Sequence, residues 1–323
     1  MIDVNRVTAL GELLIDFTPS GYSEKGHVLF ETNPGGAPAN VLVALSKFNV
    51  QTSFIGKVGK DQFGHLLKSG LEQYKIDTTN LLVSDHVNTT LAFVHLDPTG
   101  DRSFHFYREK GADIMLTEED INEELIQYSQ IFHFGSLSLT HEPAATATFK
   151  ALEYAKKHHV MISYDPNLRI PLWDSLDRAK EMILKGLKYA DIVKLSEEEL
   201  VFLTGYEELE KGTEMIQTQY GCSVVFVTLG SEGCFYRSKT HSGKTSGFHV
   251  EVVDTTGAGD AFVGGALSKI LELNKHVNVL NQTELIEIST FANAVGALAT
   301  TEKGGIPSMP SKEQVEKMLL TKC

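Results

Sequence analysis

Ile131-Phe132-His133-Phe134, Val160-Met161-Ile162-Ser163-Tyr164, Ile192-Val193-Lys194-Leu195 and Val224-Val225-Phe226-Val227-Thr228 are four short apolar runs. Each is rich in β-branched or aromatic residues, and longer segments with apolar residues at helical spacing lie between them. Those segments are 143–158, 176–189 and 197–203, with a further helix ending near Tyr220; Ser196 stands as a helix N-cap. Toward the N-terminus, 52–58 reads as a strand and 61–74 as a helix with Phe63, Leu66, Leu67, Leu71 and Tyr74 on its apolar side. Strands separated by helices predict an α/β fold, a three-layer α/β/α sandwich around a mainly parallel sheet.

Two stretches break this rhythm. Residues 13–18 with 27–32, and 89–96 with 103–107, read as hairpin pairs, the second turning at Asp97-Pro98-Thr99-Gly100-Asp101. With no helices between them they should leave the main sheet as a small antiparallel lid, drawn from about 12–34 and 88–110, or else form its edge. Lids over parallel sheets exclude water from a site. No internal repeat or low-complexity linker appears, so one domain spanning 1–323 and carrying a lid is expected.

The chain has 29 Lys and Arg against 42 Asp and Glu, a net charge of −13. Such a surface repels nucleic-acid phosphates and anionic lipid, so neither is an expected partner. A phosphate bound here must be held locally, by backbone N–H groups or a few placed cations. Cys222, Cys234 and Cys323 show no CxxC spacing, which fits a reducing compartment and gives neither a zinc site nor a disulfide framework. Residues 1–17 lack a basic segment followed by a long apolar run, and no window approaches 18 uncharged apolar residues. A cytoplasmic location is expected.

Asp254-Thr255-Thr256-Gly257-Ala258-Gly259-Asp260 runs into an apolar helix expected over 261–273. A Gly-rich turn opening a helix aims free N–H groups outward at the positive end of the helix dipole, an anion cradle made without Lys or Arg. The same turn also reads as a capped helix start with no ligand. Asp260 stands beside the cradle, where the dipole would keep it ionised and ready to accept a proton from an attacking hydroxyl. Phe262 stands where G-x-G-x-x-G needs its third glycine, and Ser238 stands where a Walker A ending in Gly243-Lys244-Thr245 needs its first. Asn33-Pro34-Gly35-Gly36-Ala37-Pro38-Ala39-Asn40 leads into a helix expected over 41–48. Its glycines let backbone approach a ligand, and Asn40 both donates and accepts, as a polyol requires. A turn with a helix cap would read the same way.

Together, these two segments resemble, in order and separation, the signature motifs of the ribokinase-like sugar kinases, the phosphofructokinase-B family. The likeness extends over nearly the whole chain. Gly11-Glu12-Leu13-Leu14-Ile15-Asp16-Phe17, Phe54-Ile55-Gly56-Lys57-Val58-Gly59, Phe106-Tyr107-Arg108 and Asp165-Pro166-Asn167-Leu168-Arg169 look like the fructokinase branch. The resemblance implies an ATP-dependent sugar kinase with Asp260 as catalytic base and Gly257, Ala258 and Gly259 as the anion hole. Asp16, at the end of the first strand, would bind sugar hydroxyls with Gly35, Gly36 and Asn40. Ser196 would contact nucleotide, where the family usually carries Asn, and Glu199 would support the water network of Mg²⁺. Thr228, Gly230 and Gly233 match the nucleotide loop, and Asn293 falls near the adenine pocket. Asp254, Thr256, Ala299, Gly304 and Ser308 match positions that bind a monovalent cation, such as K⁺, in related enzymes.

Arg108 ends a lid strand and Arg169 follows a sheet strand, so both could point into one cleft. Arginines at similar places bind the substrate carboxylate in the neighbouring 2-keto-3-deoxygluconate kinases. The surrounding motifs favour fructose, with the keto-acid and aminoimidazole riboside as alternatives within the family. Glu109-Lys110-Gly111 departs from the plant-like fructokinase pattern. A non-catalytic sugar sensor on the same scaffold is the reading from another class. Related enzymes often pair through their lids, which suggests a homodimer, with outward residues such as Phe93 or Phe104 serving either that interface or the packing of the lid sheet itself.

Overall fold

The computed structural model describes residues 6–96 and 102–320, with the backbone alone for 95, 96 and 102–104. Its strands are β1 (Arg6–Leu10), β2 (Leu14–Tyr22), β3 (Val28–Gly35), β4 (Gln51–Gly59), β5 (Leu81–Ser84), β6 (Leu91–Leu96), β7 (Arg102–Tyr107), β8 (Ile131–Gly135), β9 (Met161–Asp165), β10 (Ile192–Ser196), β11 (Val224–Thr228), β12 (Gly233–Ser238) and β13 (Ser242–Ser246). The helices are α1 (Ala37–Lys47), α2 (Gln62–Gln73), α3 (Glu123–Gln127), α4 (Ala144–Lys157), α5 (Leu176–Leu187), α6 (Glu197–Thr204), α7 (Leu209–Tyr220), α8 (Ala258–Leu273), α9 (Gln282–Ala299) and α10 (Lys312–Leu320).

A nine-stranded sheet runs in the order β13-β12-β11-β10-β9-β8-β1-β4-β5. Neighbours from β11 to β5 are parallel, while β12 and β13 add antiparallel at one edge. The tempting Gly243-Lys244-Thr245 therefore lies in an edge strand, away from any helix start. Side chains alternate between two cores, as the pleat dictates. In β11, Val224 and Phe226 join the core that contains Leu42, Leu267 and Ile288 of α1, α8 and α9. Val225 and Val227 join the core on the opposite face, with Leu152, Ile183, Leu203 and Ile216 of α4 to α7. The expected three layers are present. Leu67 and Leu71 of α2 are buried, but Leu66 is 45% exposed, one 100° step off the apolar stripe.

β1 lies mid-sheet, with β4 and β5 on one side and β8 onward on the other. Such a reversal leaves a crevice at the carboxyl ends of the strands, where open α/β sheets bind ligands. A second sheet, ordered β3-β2-β6-β7, stands over that edge. Both hairpins, β2–β3 and β6–β7, are antiparallel as expected, but β2 and β6 join them in parallel, pairing Ile15 with Leu91 and Phe17 with Phe93. The lid is thus a mixed sheet, because both first strands leave the main sheet in the same direction. Asp16 belongs to this lid rather than to the first sheet strand. The lid is seated by Phe17, which stacks on Phe93 at 4.7 Å and meets Phe63 of α2 edge-on at 5.6 Å. The turn 97–101 and the Phe104 side chain lie outside the described residues.

The helices that follow the two motifs begin earlier than expected, α1 at Ala37 and α8 at Ala258. Pro38 sits in the first turn of α1, where its missing N–H costs nothing. α1 crosses α8 so closely that a Cβ on Gly264 would stand 2.5 Å from Ala44 Cβ. Gly264→Ala is therefore expected to destabilise the fold by about 1–3 kcal/mol through overpacking, read as a lowered thermal unfolding midpoint.

Candidate active site

Gly257 caps α8 in a left-handed conformation, φ 78°, which turns the chain from the 254–256 loop into the helix. Ala258 N–H donates to Thr255 O at 3.2 Å. Helix geometry gives the next N–H groups, of Gly259 and Asp260, no intrahelical acceptor. Asp260 is buried in this first turn, and Asn40 of α1 donates from Nδ2 to its Oδ2 at 2.7 Å. Burial pushes the Asp260 carboxyl up to about 7, the negative charge of Asp165 adds to this, and the Asn40 bond, Lys194 and Arg169 oppose it. Burial thus outweighs the dipole that the sequence expects to keep Asp260 ionised. A carboxyl poised near neutral pH is suited to general-base work.

Lys194, in the centre of β10, points at the same cradle. Its Nζ lies 3.1 Å from Asp165 Oδ2 at the end of β9, and 2.9 Å from where a Cβ on Gly259 would stand. Burial works against its charge, but the carboxylates of Asp165, Glu199 and Asp260 hold its pKa above the ordinary lysine value. A glycine at 259 is what lets the ammonium approach the helix start.

A cleft of about 430 Å³ opens here, at the carboxyl edge of the sheet and beneath the lid. It brings together Asp16, Gly36, Asn40, Arg169, Gly257, Gly259 and Asp260, as expected, with Lys194 and Glu12 added. Asp16 is pushed up to about 6 by burial, partly offset by the positive charge of Arg169. Gly36 has φ 133°, and a Cβ there would collide with the backbone oxygen of Glu12. Gly35 lines an adjoining cavity, with Asp16, Asn40, Asp254, Thr256 and Gly304. A further cavity of about 310 Å³ shares Thr228, Thr255 and Gly259 with the cleft and is also lined by Gly230, Gly233, Ala258 and Asn293. Asn293 Nδ2 donates to Thr245 O and Oγ1 of β13, so this amide also fastens α9 to the edge strand.

Three expected residues are held in bonds of their own. Arg108 is buried and directs Nε to Asp113, Nη1 to Thr140 Oγ1 at 2.9 Å and Nη2 to Leu137 O at 2.9 Å. It does not share the cleft wall with Arg169; it fastens the segment after β7 to the segment after β8. Ser196 and Glu199 form a capping box, Ser196 Oγ accepting from Glu199 N–H and Glu199 Oε2 from Ser196 N–H at 2.8 Å. Glu199 Oε1 accepts from Leu168 N–H at 2.7 Å, so its carboxylate ties α6 to the segment carrying Arg169. Of the expected cation positions, Asp254 bridges two turns, accepting from Thr256 N–H at 2.8 Å and Gly304 N–H at 3.0 Å. Ala299 ends α9 nearby, and Ser308 donates to Gly305 O at 2.9 Å. Among the described residues no three His, Cys, Asp or Glu side chains cluster as a metal site, and no helix is long and apolar enough to cross a membrane.

In the sequence, Lys194, Asp165 and Glu12 stand out only as parts of longer motifs. The signal that could have found them is a lysine at the centre of an otherwise apolar strand, since a buried charge demands a partner and so marks a polar site.

Two cavities thus meet at a helix N-terminus that carries a buried carboxyl, an arrangement that can bring an anionic group and a hydroxyl acceptor together beneath the lid. The chain belongs to the pfkB family of carbohydrate kinases, whose model matches residues 4–312. It is 42% identical to fructokinase-1 of Zea mays over 97% of both chains. A solved structure of fructokinase with bound ATP from Xylella fastidiosa is 31% identical, covers 98% of each chain and superposes with a TM-score of 0.91. A double mutant of the fructokinase of Vibrio cholerae O395, with fructose, ADP and potassium bound, is 33% identical over 98% of each chain, with a TM-score of 0.87.

A raised carboxyl pKa also has a signature in stability. Unfolded, Asp260 loses its proton near 4; folded, it holds that proton until about 7. Folding therefore retains a proton across that window and stability falls as pH rises through it. Asp260→Asn removes this titration, so its thermal unfolding midpoint relative to the unaltered chain should rise between pH 5 and pH 8.

Proposed function

We propose that this chain transfers the γ-phosphoryl group of ATP to the C6 hydroxyl of D-fructose. The observation that carries this reading is Asp260, buried beside Asn40 at the start of α8 where the two cavities meet. The polar cavity suits a polyol. The other, with its largely apolar wall around Phe248, Val250 and Phe262, suits a nucleotide base. The relatives named above, fructokinases solved with ATP or with fructose and ADP, support the same assignment.

In this mechanism the sugar lies between Asp16, Asn40 and Asp260, with Arg169 on the cleft wall, and Thr228, Gly230, Gly233 and Asn293 line the nucleotide side. Asp260 takes the proton of the attacking hydroxyl, a demand that phosphoryl transfer places only weakly on a base. The N–H groups around Gly257, Ala258 and Gly259 stabilise charge on the transferring group, and Lys194 adds a fixed cation beside them. Mg²⁺ brought in with the nucleotide would supply further charge neutralisation, and Glu199 would reach it only through water, since both its oxygens already accept backbone N–H groups. K⁺ would be held at the turns joined by Asp254, with main-chain carbonyls as its other ligands. The lid excludes water, which limits ATP hydrolysis. Arg108 contributes by holding the lid rather than by touching the sugar.

A coupled ADP assay on fructose, 2-keto-3-deoxygluconate, ribose and aminoimidazole riboside tests this. Preferred turnover of fructose is expected. Preference for the keto-acid would recast Arg169 as a carboxylate ligand, and sugar binding without turnover would favour the sensor reading. Asp260→Asn should lower kcat by about 10²–10⁴-fold with ATP affinity nearly unchanged by calorimetry; near-normal turnover would remove Asp260 from the mechanism.

The outer lid exposes Tyr22, Val28, Leu29, Phe30 and Tyr107, apolar side chains spread over both of its faces that support pairing of two lids as a homodimer. Sedimentation velocity should show a dimer that Leu29→Lys converts to monomer.

A further inference from the structure

Asp113 follows the Glu109-Lys110-Gly111 turn, a segment that the mechanism above leaves unused. It is only 5% exposed, and three strands of the lid are tied at or beside its carboxylate. Arg108, just after β7, gives Oδ2 its Nε at 2.7 Å and its Nη2 at 2.6 Å. Thr90, just before β6, donates its hydroxyl to Oδ1. The backbone oxygen of Thr90 in turn accepts from the N–H of Ile15 in β2 at 3.2 Å. The turn can close on this point because Lys110 takes a left-handed φ of 55° and Gly111 carries no Cβ, which would strike the Thr90 hydroxyl. Ala112 N–H completes the closure by donating to Asn88 O at 2.9 Å.

The same strand ends carry residues of the acceptor cleft. Asp16 follows Ile15, Phe106 stands two residues before Arg108, and Leu137 supplies the oxygen that Arg108 Nη2 reaches; all three line the cleft. An ion pair buried this deeply adds little net stability, because desolvation offsets its Coulomb energy. What it does supply is a fixed geometry, since removal of either partner strands a buried charge.

We propose that Asp113 is a positioning residue for the acceptor: by holding Thr90 and Arg108 together it sets where the lid presents Asp16 and Phe106 to the sugar. The proposal rests on the fructokinase reading above. A shift at Asp113 is passed to Asp16 through Thr90 and one backbone hydrogen bond, and to Phe106 along two residues of strand. A loosened lid also admits water to the cleft. Water then takes the γ-phosphoryl group of ATP in place of the sugar hydroxyl, giving ADP and inorganic phosphate.

The test compares Asp113→Asn and Thr90→Val with the unaltered chain. Asparagine keeps the shape but removes the charge that pairs with Arg108; valine keeps the shape of Thr90 but removes the donor to Oδ1. The quantities measured are KM for fructose, KM for ATP, the amounts of ADP and fructose 6-phosphate formed, and the thermal unfolding midpoint. In both variants KM for fructose should rise about tenfold or more while KM for ATP stays within about twofold, since a misplacement on the order of 1 Å at the acceptor is enough for such a loss. ADP should form faster than fructose 6-phosphate, whereas the two match in the unaltered chain. A purely structural role for Asp113 predicts instead a lower unfolding midpoint with KM for fructose and coupling unchanged in the folded variants. That result overturns the proposal, as does a rise in KM for ATP equal to that for fructose. If Asp113→Asn fails to fold, Thr90→Val alone decides. If the unaltered chain prefers another sugar of the panel above, the fructokinase reading falls, and the same comparison with that sugar decides the role of Asp113. Absence of turnover on every sugar overturns both.

Discussion

The hydrogen bond from Asn40 to Asp260 spans 220 residues of chain and closes the site. It exists because α1 and α8 pack almost without side chains between them, Gly264 against Ala44. That crossing puts the first turn of each helix at one place, the carboxyl edge of the sheet. The two Gly-rich motifs are then neighbours, and Asp260 is buried between them. Burial in turn sets the proton affinity of this carboxyl. One packing contact thus connects core geometry to chemistry.

Charge in this molecule is organised against its own net sign. An acidic chain that handles triphosphate needs positive potential confined to the reaction centre. The structure supplies it from a helix N-terminus and one buried lysine, with Asp165 holding that lysine in place. The carboxyls of Asp16, Glu12 and Asp260 line one cleft, and all three are pushed upward by burial. A neutral polyol tolerates such walls because it presents donors to each. An anionic acceptor would meet three carboxyls and, on the same cleft wall, Arg169.

Much of this is legible in the chain. Short apolar runs and helical periodicity locate β4, β8 to β11, α2 and α4 to α6 to within two or three residues, because each of these strands is a short apolar block between amphipathic segments, while the parallel strands β1 and β5 are not read as strands. The helix starts at Ala37 and Ala258 read late, since glycine and proline in a first turn look like loop when no partner is visible. Arg108 reads as a ligand because a lid arginine and a loop arginine look alike in sequence. Its true partners, Asp113, Thr140 and Leu137 O, include two from the segment that follows β8, more than 25 residues away. Asp16 looks like the end of a sheet strand, and only the pairing of β2 with β6 shows that it rides on the lid.

Local order of residue types was enough to establish the α/β alternation, the two Gly-rich helix starts, the family resemblance and the carboxylate beside the second helix start, since each depends on neighbours within a turn or a strand. The state of those groups was decided only by tertiary structure. Whether Asp260 is charged, whether Lys194 faces the cradle and whether Arg108 reaches the cleft all depend on burial and on partners distant in sequence. Solvation and Coulomb terms act through space, so the chain order that identifies these residues does not fix their protonation or their aim.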